Sequence, residues 1–285
     1  MIHAEGLSKS FQRVRVLDAL ALAVADGERV ALVGANGAGK TTLIRCLLGE
    51  YTYEGRVTVG GREPRAERTR VLERTGFVPQ LPPPLRMSVG HLLDFAATVC
   101  GGATGPMEAV AERLGLDARS LWKRPFVKLS GGQKQKLLIA VALGRDCDLL
   151  VLDEPAANLD PPARAAFFGL LAERPRSTML ISSHRIDEVA PLVSRVVELD
   201  QGKVVLDDRV DGAAALDAVL RCRVELNAPS EPAAAALRGW GLAPVAGGLV
   251  FEGAVAGPDR LRFLGALARY AGLLRVLSLE EERRS

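Results

Sequence analysis

Lys40, Thr41, Asp153 and Glu154 are the side chains of this sequence whose setting suits chemistry on a phosphate. Residues 34–41 read Gly-Ala-Asn-Gly-Ala-Gly-Lys-Thr and satisfy every fixed position of the pattern G-x-x-x-x-G-K-[ST]. Glycines in such a loop let the backbone wrap a phosphate with no Cβ in the way. The lysine reaches the β- and γ-phosphates of a nucleotide, and the hydroxyl after it holds Mg²⁺. Asp153 and Glu154 follow the apolar run Leu149, Leu150, Val151 and Leu152. The first carboxylate is placed to hold the metal, directly or through water. The second is placed to orient and deprotonate an attacking water.

These groups need elements that hold them. Residues 28–34 form an apolar run suited to a buried strand, and residues 40–48 carry a helical pattern. The glycine loop therefore joins a strand end to a helix N-terminus, whose unpaired N–H groups and partial positive charge attract anions. The apolar run before Asp153 predicts a central parallel strand buried on both faces. Its carboxyl end is the edge at which open α/β sheets bind ligands. A third element begins at Leu129, Ser130, Gly131, Gly132 and Gln133. Ser130 is a good N-cap, and Leu137, Leu138, Val141 and Ala142 recur with helical periodicity. Alone this is an ordinary capped helix. Beside the first loop it is a second anion-binding device.

In this order and spacing, residues 1–210 resemble the ATP-binding subunit of an ABC transporter. The resemblance implies a P-loop α/β cassette with a helical subdomain over about residues 86–145. It implies ATP and Mg²⁺ as ligands, with Asn36, Gly37, Ala38, Gly39, Lys40, Thr41 and Thr42 around the phosphates. Thr41, Gln80 and Asp153 are the implied metal-binding set. Glu154, Gln80 and His184 are the implied catalytic set, His184 standing at the end of another predicted strand, and Phe11 the ring that stacks on adenine. In the family two cassettes pair head to tail. Ser130, Gly131, Gly132 and Gln133, with Asp160 of the segment 157–160, then complete a site on the partner. Departures are small: Phe11 stands where many members carry tyrosine, and Asn158 where serine or glycine is usual.

The composition fits this class. A net charge of +3 over 285 residues lacks the basic stripe of a nucleic-acid binder, and no nucleic-acid partner is expected. No apolar run approaches a membrane span, and the N-terminus shows no secretory pattern. The cysteines at 46, 100, 147 and 222 lack metal-site or disulfide spacing and read as reduced thiols. His3 and His91 read as surface residues. The expected location is the cytoplasmic face of the membrane, against an integral permease subunit. Pro82, Pro83 and Pro84 are either a plain stiff loop or a rigid docking surface.

Between residues 88 and 124, apolar spacing predicts two short helices around residues 101–106. That is too short for the coiled-coil insertion of chromosome-maintenance relatives. A small α+β module is expected over residues 221–285, after a cassette spanning 1–220. Its pattern predicts a strand at 221–226, a helix at 231–240, strands near 244–245 and 249–254, a helix at 258–274 and a strand at 276–279. The order β-α-β-β-α-β suggests a ferredoxin-like fold. Tails ending in a segment like Ser278-Leu279-Glu280 occur in type-two ABC exporters, as regulators, dimer contacts or stabilising appendages. The reading is thus an export-type ATPase subunit, and it is also similar to the ATPase of the copper-processing accessory transporters of nitrous oxide reductase. The alternative is a soluble ABC ATPase that switches a protein or nucleic-acid partner.

Overall fold

The computed structural model divides the chain into two units, residues 1–184 with 195–207 and residues 185–194 with 208–285. The structure describes residues 1–183, 186–209, 219–246, 248–256, 263, 266–267 and 270–281. In chain order the cassette begins with β1 (Ile2–Phe11), β2 (Val14–Val24), β3 (Arg29–Val33), α1 (Lys40–Leu47) and β4 (Glu54–Val59). There follow α2 (Arg68–Glu73), β5 (Thr75–Val78), α3 (Val89–Val99), α4 (Thr104–Arg113) and α5 (Gly131–Leu143). After these come β6 (Leu149–Asp153), α6 (Pro161–Ala172), β7 (Thr178–Ser182), then α7 (Ile186–Val189), which falls in the second unit, and β8 (Arg195–Asp200) and β9 (Lys203–Arg209).

A six-stranded sheet in the order β5-β6-β7-β3-β8-β9 carries the cassette. Pairing is parallel from β5 through β8. β6 is interior to the sheet and every one of its residues is buried, as its unbroken apolar run requires of a parallel strand covered on both faces. Non-consecutive neighbours mean crossovers, and these bring the carboxyl ends of β3, β6 and β7 together at one edge. β9 joins through a two-residue turn at Gln201 and Gly202, both with positive φ, which suits a tight hairpin. A three-stranded antiparallel sheet, β2-β1-β4, shares the same apolar core with α1. α1 packs against β2, β4 and β6, and α5 packs against β5 and α4.

Two expected helices fall in the segment 88–124 as α3 and α4. The connection between them is shorter than the sequence pattern predicts, because Thr104, Gly105 and Pro106 form the first turn of α4. Proline is tolerated there, where its missing N–H has no intrahelical partner to lose.

In the second unit, β10 (Val219–Leu226), α8 (Glu231–Gly239), β11 (Ala243–Ala246), β12 (Val250–Ala256) and β13 (Leu274–Glu281) follow α7. The strands form an antiparallel sheet in the order β11-β12-β10-β13. Alternation in β10 puts Leu220, Cys222, Val224 and Leu226 inside and Arg221 and Arg223 outside. Cys222, Val224 and Leu226 pack with Ala233, Leu237, Phe251, Phe263 and Leu267. The helix expected at 258–274 lies largely outside the described residues. Phe263, Ala266 and Leu267 are helical, but a 3-10 turn at Ala271–Leu273 and the start of β13 at Leu274 end it earlier than its apolar spacing predicts.

Candidate active site

The loop after β3 folds as its glycines require. Gly34 has φ 144°, and a Cβ there would stand 2.3 Å from the Leu199 carbonyl oxygen. Gly39 has φ 108° and is the N-cap of α1, with no side-chain cap. The first N–H groups of α1 are therefore left to a ligand, which is what an anion site needs. A cavity of about 300 Å³ opens over this loop. Residues 35–42, Gln80, Asp153, Glu154 and Val16 line it.

Within the cavity the charged groups are buried and held. The Lys40 ammonium donates to the Gly34 carbonyl at 2.7 Å and to the Ala35 carbonyl at 3.2 Å. Asp153 is 2% exposed, and its Oδ1 accepts a 2.6 Å hydrogen bond from the Ser182 hydroxyl. Glu154 sits at φ 48°, a left-handed conformation that disfavours any residue with a Cβ by about 1–2 kcal/mol. Its backbone N–H donates to the Ser182 carbonyl at 3.2 Å and to the Ser182 hydroxyl at 2.9 Å. Strained residues persist only where their surroundings over-determine them, and they gather at functional sites. Thr41, Gln80 and Asp153 line one cavity, and their side-chain oxygens are a hard donor set that suits Mg²⁺ completed by phosphate and water.

Other residues singled out by the sequence stand elsewhere. Phe11, at the end of β1, is not in the cavity lining; its ring meets Tyr51 edge to face at 5.2 Å, with the Lys9 ammonium 4.9 Å from its centroid. Ser130 and Gln133 form a reciprocal cap on α5. The serine hydroxyl accepts from the Gln133 N–H at 3.2 Å, and the glutamine side chain accepts from the Ser130 N–H at 3.0 Å. With Gly131 and Gly132 they lie outside the cavity lining. Asp160 caps α6 by accepting from the Ala163 N–H, and it pairs with Lys136 at 2.7 Å. The lysine bond first, and the backbone bond second, hold its carboxyl below the usual range. His184 lies outside the described residues.

The ABC transporter family model matches residues 17–157. An aliphatic sulfonates import ATP-binding protein of Mycobacterium sp. (strain MCS) is 38% identical over 74% of this chain and 84% of its own length. The chain belongs to the ABC transporter ATP-binding subunits. It is an ATPase of that family. A Nod factor export ATP-binding protein of Paraburkholderia xenovorans is 34% identical over 72% of this chain and 70% of its own length. Among solved structures, an ATP-binding subunit of an ABC transporter matches with a TM-score of 0.67 at 25% identity, over 74% of this chain and 90% of its own. A dimeric post-hydrolysis cassette bound to ADP and phosphate shares the fold, with a TM-score of 0.66 at 21% identity, over 74% of this chain and all of its own.

Two buried residues of this ATPase cassette were not legible as site residues. Ser182 is wholly buried at the end of β7 and touches both Asp153 and Glu154. Gln135 is wholly buried on α5 and donates to the Pro155 carbonyl, one residue past Glu154. A serine in an apolar strand and a glutamine in an apolar helix carry a faint signal: a buried polar group needs a partner. The sequence does not say which partner.

Proposed function

We propose that this subunit drives an export-type permease through nucleotide-dependent pairing with a second cassette. The observation that carries the reading is the division of the anion-binding devices. Residues 35–42 share a cavity with Gln80, Asp153 and Glu154, whereas the capped N-terminus of α5 is outside that lining. A site completed by the α5 N-terminus of a partner makes closure depend on the γ-phosphate, and hydrolysis then releases the pair. In that assembly Lys40, Thr41, Gln80 and Asp153 hold Mg-ATP, Glu154 activates water, and Phe11 stacks on adenine through its half-exposed ring; the resemblance adds His184 to the catalytic set. Mg²⁺ supplies charge neutralisation on the phosphates when bound.

Ser130→Arg tests the pairing. Monomer ATP affinity should stay near the parent value, while ATP-dependent dimerisation and hydrolysis collapse, read by light scattering and phosphate release. Loss of ATP affinity together with folding would instead make the segment internal to its own subunit.

Export is the direction favoured by the tail's likeness to type-two exporters; relatives of both directions match the cassette. On the same resemblance the narrower reading is the copper-processing accessory transporter of nitrous oxide reductase. Leu81, 77% exposed, precedes the stiff Pro82, Pro83 and Pro84. Phe95 and Val99, four residues apart on α3, are also exposed. These apolar groups support docking on a permease at the cytoplasmic face. Among the described residues no helix is long and apolar enough to cross a membrane.

For the tail the proposal is a self-contained ferredoxin-like module, supported by its strand order and by a buried cluster running from Cys222 to Leu267. Truncation before Val219 should leave a folded cassette that binds ATP with unchanged affinity. A regulatory tail predicts an altered dimerisation or permease-coupled ATPase rate; an appendage predicts neither. An insoluble cassette would show that the tail completes its core.

A further inference from the structure

Ser182 closes β7 opposite the end of β6, and Asp153 is its register partner. Glu154 is one residue beyond that ladder. Its N–H is shared between the Ser182 carbonyl at 3.2 Å and the Ser182 hydroxyl at 2.9 Å. The same hydroxyl donates to Asp153 Oδ1 at 2.6 Å. A backbone amide only donates, so the direction is fixed: the Glu154 amide donates to the hydroxyl, and the hydroxyl donates to Asp153 Oδ1. Among groups this buried each bond polarises the next. One buried hydroxyl thus ties the carboxylate that faces the phosphate loop to the backbone of the residue held at φ 48°.

We propose that Ser182 is a positioning residue for ATP hydrolysis: its hydroxyl orients the Asp153 carboxylate relative to the strained backbone from which the Glu154 side chain projects. This rests on the reading of Glu154 as the hydrolytic carboxylate. Asp153 can otherwise rotate its carboxylate about χ2. The ladder bond from the Glu154 N–H to the Ser182 carbonyl survives any side-chain change, so it holds the chain without the hydroxyl. The hydroxyl therefore adds orientation, and orientation acts on the rate of the chemical step more than on ground-state binding.

The test compares the full chain with Ser182→Ala, Ser182→Thr, Glu154→Gln and the double variant Ser182→Ala with Glu154→Gln. Ser182→Ala should lower kcat about 10- to 100-fold, the penalty for a small misplacement of a reacting group. KM for ATP, and ATP affinity measured by equilibrium titration, should stay within about twofold. Ser182→Thr keeps a hydroxyl on a residue suited to a strand and should recover most of the missing rate. In single turnovers the double variant should be no slower than Glu154→Gln alone, because groups acting as a unit are not additive. A parent rate in Ser182→Ala beside an inactive Glu154→Gln overturns the role of Ser182 and leaves the Glu154 reading standing. A parent rate in Glu154→Gln overturns that reading and the proposal with it. An equal loss of ATP affinity and melting temperature in Ser182→Ala, not restored by threonine, makes Ser182 merely structural and overturns the proposal.

Discussion

Lys40→Ala is expected to abolish tight ATP binding. Lys40 is 7% exposed, and its ammonium is folded onto its own loop, donating to the carbonyls of Gly34 and Ala35. It therefore does two things. On the proposed reading it carries the positive charge nearest the β- and γ-phosphates, and it holds the loop through those two carbonyls. Hydrogen bonds to a charged group contribute about 1.5–3 kcal/mol each, which is roughly 10- to 150-fold in affinity for every lysine–phosphate bond removed. Titration with Mg-ATP should show the loss directly. Melting without nucleotide should change little, and the rise in melting temperature that ATP gives the parent should vanish. Lys40→Arg should not rescue binding, because a planar guanidinium does not fit the confined place of an ammonium. Undiminished affinity in Lys40→Ala would overturn the assignment of residues 34–41 as the phosphate loop.

Much of the cassette was legible because its signals are local. Residues 34–41 need left-handed and otherwise strained backbone at Gly34, Gly37 and Gly39, and only glycine supplies it cheaply. The apolar run before Asp153 has one comfortable place, the interior of a parallel sheet. Ser130 announces α5 because a cap bonds within its own turn. What was not legible depends on partners distant in sequence. Ser182 meets Asp153 and Glu154 across 29 and 28 residues, and Gln135 meets Pro155 across 20. Lys136 and Asp160 form an ion pair between α5 and the N-cap of α6, which neither residue type predicts. The contact of Phe11 with Tyr51 likewise depends on how β1 meets the chain after α1. In the tail, the alternation of β10 was readable because one face is wet, while the helix before β13 was overestimated because leucine spacing continues into a strand.

Glu154→Gln should separate binding from hydrolysis, in contrast to Lys40→Ala. The amide keeps the shape of the carboxylate, and the backbone bonds to Ser182 do not involve the changed atoms. The strained φ of 48° is thus held as before. What disappears, on the proposed reading, is the base. General-base catalysis contributes about 10²- to 10⁴-fold, so phosphate release should fall by that factor. Removing a negative charge from the cavity wall also removes repulsion toward the γ-phosphate, so ATP should bind at least as tightly. If pairing requires an intact γ-phosphate, ATP that is bound and not cleaved should hold the two cassettes together. A stable dimer should then accumulate with Mg-ATP and not with Mg-ADP, as read by size-exclusion chromatography with light scattering. Adding Ser130→Arg to Glu154→Gln should dissolve that dimer, because in the proposed pairing the arginine obstructs the α5 N-terminus offered to the partner's nucleotide. A Glu154→Gln variant that hydrolyses ATP at the parent rate would take the carboxylate out of the reaction. A trapped dimer indifferent to Ser130→Arg would place the shared contact somewhere other than α5.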